Sequence, residues 1–313
     1  MNVATSADTG PLPEQAPCPR KLLFRGQAPK PPHRRALGPP LAVAPLLVFM
    51  GAAFGLPAIA IATGAFTTSA DAPGGVRWTL SNLTTSVHGA YLTALWGSVR
   101  LSALSALLAT VLGVPLAQAV VTSGSRALRD AVMSASGVLA NFGGVPLAFA
   151  FVATLGNAGV LTTRLHLAAR GWSLYSFWGL VVVYLYFLLP LMVLTIAPAL
   201  EGLRAGWREA ARNNGATSWQ FWRHVALPVL APSLLGGYVL LFGSAFAAYA
   251  TAAAMVGSSV PLLTSQIADA LSGNVLVGQG NVALALSVDM VVVAGAVMAV
   301  YVPLQRRSAR WLA

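Results

Sequence analysis

The chain has 313 residues, of which 57% are hydrophobic and 9% charged, against roughly 25% charged in an ordinary soluble domain. That composition excludes a soluble globular fold. The net charge of +11 would suggest nucleic acid in a soluble protein, but most of these charges flank or separate long apolar stretches, and no nucleic-acid partner is expected. Cys18 is the single cysteine and His33, His88, His166 and His224 are scattered, so neither an internal disulfide nor a metal site is expected.

Residues 1–40 hold nine of the 20 prolines together with Arg20, Lys21, Arg25, Lys30, Arg34 and Arg35. Without an apolar run to build a core they read as a disordered basic tail. Residues 41–66 carry no charge and predict a first transmembrane helix. Ala58-Ile59-Ala60 resembles a small-residue cleavage site, but an apolar stretch of about 25 residues exceeds the 7–15 of a secretory signal core. Five further stretches, about 91–121, 131–155, 174–199, 229–256 and 282–304, reach the ~20 residues that cross a ~30 Å hydrocarbon core. The expected fold is an all-α membrane protein, a six-transmembrane-helix bundle with its core over 91–304 and a basic tail at 305–313.

Six spans put both termini on one side. With the N-terminus cytoplasmic, fifteen of the 19 Lys and Arg residues fall inside and only Arg77, Arg164 and Arg170 outside, with Arg100 in a span. The positive-inside rule therefore predicts cytoplasmic N- and C-termini.

Several predicted spans contain residues that weaken helices: Gly113 and Pro115, then Asn141-Phe142-Gly143-Gly144 with Pro146, then Pro190 and Pro198. Backbone groups freed there need partners in neighbouring helices or a water-lined cavity, which suits transport and plain packing alike. Asn141, Tyr249 and Asp289 are polar groups in or near spans and are candidates for a translocation pathway. Structural hydrogen bonding between helices is the competing reading for Asn141 and Tyr249. The competing reading for Asp289 is a place near the outer third of its span, hydrated or paired within the bundle, with Arg100 as a candidate partner.

The predicted cytoplasmic loop at 200–228 carries the most information. Trp207, Ala210, Ala211 and Asn214 are spaced to share one helical face, and Arg208 and Arg212 form an i, i+4 row beside it. Glu209 is expected near that helix's N-terminus, where its charge is favourable, and Gly215 is placed to end the helix in a left-handed conformation. Thr217 and Gln220 predict a capping box for a second helix, and Pro228 suits the first turn of the next span. Small residues on the first helix would let the backbone of a soluble partner approach closely.

Glu209-Ala210-Ala211, three residues, Gly215, nine residues, then Val225-Ala226-Leu227-Pro228 resembles the EAA signature of permease subunits of binding-protein-dependent type I ABC importers, with Val where Ile is commonest. The resemblance runs from about residue 91 to the C-terminus. The strings Asn141–Phe149 and Phe246–Ala252 look like the branch handling polyamines and 2-aminoethylphosphonate.

The resemblance implies a coupling helix in which Glu209, Ala210, Ala211 and Gly215 contact the ATPase, with Arg208 and Arg212 as less specific neighbours. It implies two copies of a cytoplasmic ABC ATPase, a second permease subunit, identical or homologous, and an extracytoplasmic solute-binding protein. These would sit at a prokaryotic cytoplasmic membrane, in contact with its lipid. The chain's only lysines are Lys21 and Lys30 and it lacks a P-loop string, so it is not expected to be an enzyme or to hold a cofactor, ATP being bound by the partner. The implied cargo is a small hydrophilic solute such as spermidine, putrescine or an aminophosphonate, with ferric iron or thiamine as alternatives. The rival class is an ion-coupled secondary transporter, which often shows inverted repeats and several intramembrane carboxylates; one acid and no evident repeat are found. A membrane-embedded enzyme lacks support from any paired carboxylates or nucleophile–base spacing.

Overall fold

A computed structural model of the chain describes residues 39–68, 75–257, 259–272 and 280–309. The expected tail at 1–40 lies outside these residues except for its last two, as do the final four residues of the 305–313 tail. The chain divides after Ala52 into two compact units. Within the described part of the first there is only the opening of helix α1, Pro39–Ala65. The second unit holds everything else described.

After α1 come α2 (Ser81–Ser86), α3 (Gly89–Val121), α4 (Arg126–Asn141), α5 (Val145–Leu155), α6 (Val160–Arg164), α7 (Phe177–Glu201), α8 (Ala205–Asn213), α9 (Ser218–Phe221), α10 (Leu227–Phe246), α11 (Ala250–Val256), α12 (Leu263–Leu271) and α13 (Gly280–Ala309). The described residues contain no strand, only an isolated antiparallel bridge between Thr67 and Trp78. Among the described residues, six helical segments are long and apolar enough to cross a membrane: Ala44–Ala65, Gly89–Val121, Val145–Arg164, Phe177–Glu201, Ser218–Phe246 and Gly280–Arg307.

Two stretches differ from the sequence expectation. The stretch 131–155 is not one helix. The α4 helix is amphipathic, begins at Arg126 with the Ser125 hydroxyl accepting from the Leu128 N–H, and ends at Asn141. Gly144 then takes φ +79°, a conformation open to glycine, and Pro146 sits in the first turn of α5, where its missing N–H costs nothing. The apolar segment of this region is accordingly α5 with α6, displaced toward the C-terminus. The stretch 229–256 likewise divides at residues 247–249, between α10 and α11.

The bundle is organised around α7, which packs on α3, α4 and α10. Leu180, Val183, Leu188, Met192 and Ile196 of α7 are fully buried. Close approach at its middle depends on small residues opposite. A Cβ added at Gly113 of α3 would lie 2.8 Å from the Met192 Cβ, and one at Gly237 of α10 would lie 3.1 Å from its sulfur. Both neighbouring helices therefore lean on the same methionine. The α13 helix packs on α10, α12 and α2, and α5 packs on α11.

One end of the second unit collects the basic residues. The guanidinium of Arg129 in α4 is ion-paired with Glu201 at the end of α7, and α3, α7, α8 and α9 all reach a common cavity there. The Tyr301 hydroxyl of α13 lies 3.0 Å from where a Cβ on Gly236, midway along α10, would stand, and Arg306 and Arg307 follow in the last turn of α13.

Candidate functional site

At the basic end, α8 and α9 form a helix–turn–helix leading directly into α10. The N–H of Ala216 donates to the Ala211 carbonyl at 3.0 Å and the N–H of Gly215 to the Arg212 carbonyl at 2.9 Å. With Gly215 at φ +75°, this is a Schellman termination, which satisfies the last carbonyls of α8. The second helix opens on the expected capping box. The Gln220 N–H donates to Thr217 Oγ1 at 3.3 Å, while the Thr217 N–H donates to Gln220 Oε1 at 2.8 Å. Next, Trp222–Ala226 makes a π-helical turn before α10. Phe221 is buried beneath it and Trp222 half-buried, which anchors the turn to the bundle.

Of the residues singled out in the sequence, Arg208, Glu209, Ala210, Ala211 and Arg212 are brought together on α8, with Gly215 closing its turn. Glu209 is the fifth residue of α8, which starts at Ala205. It therefore lies beyond the first turn, where a helix dipole acts, and its charge works instead on its surroundings. Those surroundings are a cavity of about 350 Å³ between α8 and the ends of α3 and α7, lined by Gln118, Thr122, Glu201, Arg204, Arg208, Glu209 and Arg212 among others. The Arg204 guanidinium stands over the Trp207 ring and that of Arg208 over Phe221, each 5.8 Å from the ring centroid.

The sequence reading did not single out Arg204, Glu201 or Arg129 as site residues. Arg204 extends the Arg208, Arg212 row by four positions, a visible signal, but the Arg129–Glu201 pair joins residues far apart in the chain and had none. Trp219, exposed by 69%, was also passed over.

The pathway candidates separate into two places. Asn141 closes α4, its amide donating to the Gly137 carbonyl at 2.9 Å, and Tyr249 stands exposed before α11. Both lie beside helix breaks that are tied together. The Gly144 N–H donates to Thr251 Oγ1 at 2.9 Å, and the Tyr184 hydroxyl of α7 donates to the Ala248 carbonyl at 3.0 Å. At roughly 1.5 Å per residue these breaks lie about 24 and 30 Å along α4 and α10 from the basic end. Backbone opened within a membrane-spanning segment is tolerated only against protein or a water-lined cavity. Asp289 lies elsewhere, on α13, half-buried where that helix packs on α2, whose Ser86 hydroxyl donates to the Leu83 carbonyl at 2.9 Å. Its Oδ2 is buried without a partner among the described residues. Arg100 instead stands over the Trp96 ring, 5.6 Å from its centroid.

The sequence profile of the family described as the inner membrane component of binding-protein-dependent transport systems matches residues 109–310, well over half of the chain. The chain belongs to this family. It is 40% identical over 68 residues to the sulfate transport system permease protein CysT of Escherichia coli (strain K12), covering 22% of this chain and 24% of that one. It is 29% identical over 170 residues to the molybdenum transport system permease protein ModB of Mycobacterium tuberculosis (strain ATCC 25618 / H37Rv), covering 53% of this chain and 62% of that one. The chain thus spans under two thirds of the length of these curated relatives. A chain from the crystal structure of a bacterial ABC transporter involved in import of the acidic polysaccharide alginate superposes with a TM-score of 0.65 at 18% identity, over 86% of this chain and 94% of that one. This likeness bears on the fold.

Proposed function

We propose that this chain is the permease subunit of an ABC importer. It forms half of a translocation pathway with a second permease subunit, fed by a solute-binding protein outside and driven by two copies of an ATPase inside a prokaryotic cytoplasmic membrane. Both termini and the basic end face the cytoplasm in this reading, in keeping with the charge asymmetry. The chain itself hydrolyses nothing. The observation that carries the reading is the α8–Gly215–α9 unit, presented at the basic end of a six-helix chain of this family. Its small residues Ala210 and Ala211 and the stiff Schellman turn suit insertion into a groove of a soluble partner. The tied breaks beside Asn141 and Tyr249 suit the pathway, because unwound backbone offers polar groups to a solute at membrane depth.

For the cargo, the named transport of the curated relatives favours a tetrahedral oxyanion, sulfate or molybdate. An amine-bearing solute, a polyamine or aminophosphonate, is the second reading; it rests on the Phe246–Ala252 string and on the unpartnered carboxylate oxygen of Asp289. Uptake of radiolabelled sulfate, molybdate, putrescine, spermidine and 2-aminoethylphosphonate, in cells lacking and then regaining the chain, separates the two. Deletion is expected to cut sulfate or molybdate uptake at least tenfold. Loss of amine uptake alone would install the second reading, and unchanged uptake of all five would sink both.

A further inference from the structure

The cavity behind α8 has an unbalanced charge. Glu201 is neutralised by Arg129, which is not among the cavity's lining residues. Arg204 and Arg208 meet ring faces, and among the described residues Arg212 and Glu209 have neither an ion pair nor a side-chain hydrogen bond. Three arginines and one carboxylate without an ion pair therefore line the same space of about 350 Å³, each still exposed to solvent. A guanidinium stacked on a ring keeps its N–H edge free, and each presents a planar fork of donors that matches an oxyanion in bidentate fashion. Gln118 adds a neutral amide donor, whereas the Thr122 hydroxyl beside it already donates to the Gln118 carbonyl at 2.7 Å. The enclosing elements are the ends of α3 and α7, the length of α8 and the end of α9, so the site exists only in the folded chain.

We propose that this cavity binds a tetrahedral oxyanion of the sulfate or phosphate type, free in solution or carried on an anionic lipid headgroup. The ion bridges Arg208 and Arg212 of α8 to the base of the bundle. Because α8 packs chiefly on α9 and otherwise stands across this space, occupancy braces it. The regulatory consequence rests on the proposed role of α8 as the ATPase contact: an oxyanion accumulating inside would set the stiffness of the link that drives its own import. Binding itself needs no ATPase, so its failure and the failure of that role are read separately.

The test uses the full chain in nanodiscs. In neutral phosphatidylcholine discs, radiolabelled sulfate is expected to bind saturably, one per chain. Arg208→Gln combined with Arg212→Gln should weaken binding at least tenfold, while Arg126→Gln, at the same end but outside the cavity, should leave it unchanged. Glu209→Gln removes the opposing charge and should tighten binding several-fold, a gain that misfolding cannot mimic. In the second arm, discs containing phosphatidylglycerol are examined by native mass spectrometry for retained lipid. Arginine-dependent sulfate binding assigns the free ion. Arginine-dependent retention of phosphatidylglycerol, strengthened by Glu209→Gln and without sulfate binding, assigns the headgroup. Binding that ignores either the arginine pair or Glu209, or no binding in both arms, overturns the proposal.

Discussion

Replacing Gly215 with valine is expected to cut substrate-stimulated ATP hydrolysis by the reconstituted transporter at least tenfold, with membrane abundance unchanged. Gly215 holds φ +75° and a Cβ there would meet nothing within 4 Å. The penalty is therefore conformational and not a clash. A left-handed residue with a side chain costs about 1–2 kcal/mol, more when β-branched, enough to shift the turn population by a factor of roughly 5–30. The two Schellman bonds from Gly215 and Ala216 would be lost with it, and α8 would no longer hold its angle to α9. Gly215→Asn is the discriminating control, because asparagine tolerates the left-handed region and should retain at least half of the hydrolysis. If valine and asparagine behave alike, the turn conformation is not what matters.

Glu209→Lys is expected to lower ATPase copurification and stimulated hydrolysis by a similar factor through a different cause. The substitution turns a cavity with three guanidinium groups and one free carboxylate into one with four cations. In the proposed docking on the ATPase, the same change reverses the charge of an exposed residue of α8. Glu209→Gln should fall between wild type and lysine, since it deletes the charge without reversing it. Neither variant touches an apolar span, so both should insert normally. Full coupling in both at normal abundance would remove Glu209 from the contact.

How far the sequence carried the fold depended on range. Apolar length made six membrane-crossing segments legible, because a helix in hydrocarbon must be long and uncharged whatever surrounds it. The α8–α9 unit was legible as well, since a capping box, a terminating glycine and an i, i+4 row are all encoded within a few residues. The boundary near residue 142 was not. The polar residues of α4 and the apolar run of α5 average into one plausible span; the helix-weakening string from Asn141 to Pro146 was visible, but not that Gly144 would turn left-handed and end one helix there. The cavity was equally hidden. Its walls come from α3, α7, α8 and α9, and the pairing of Arg129 with Glu201, which decides the charge balance, is a tertiary fact. Asp289 was conspicuous as a lone intramembrane acid, but its packing against Ser86 of α2 depends on how two distant helices meet.

The central claim, that this chain conducts solute under the control of a separate ATPase docked on α8, is tested most directly by reconstitution. The chain is purified with its ATPase, placed in vesicles and supplied with loaded binding protein. Solute uptake and ATP hydrolysis are then measured together, with and without a proton or sodium gradient. The account predicts a stable complex whose hydrolysis rises with loaded binding protein and whose uptake requires ATP but no ion gradient. Uptake by the chain alone, driven by the gradient and indifferent to ATP, would contradict it.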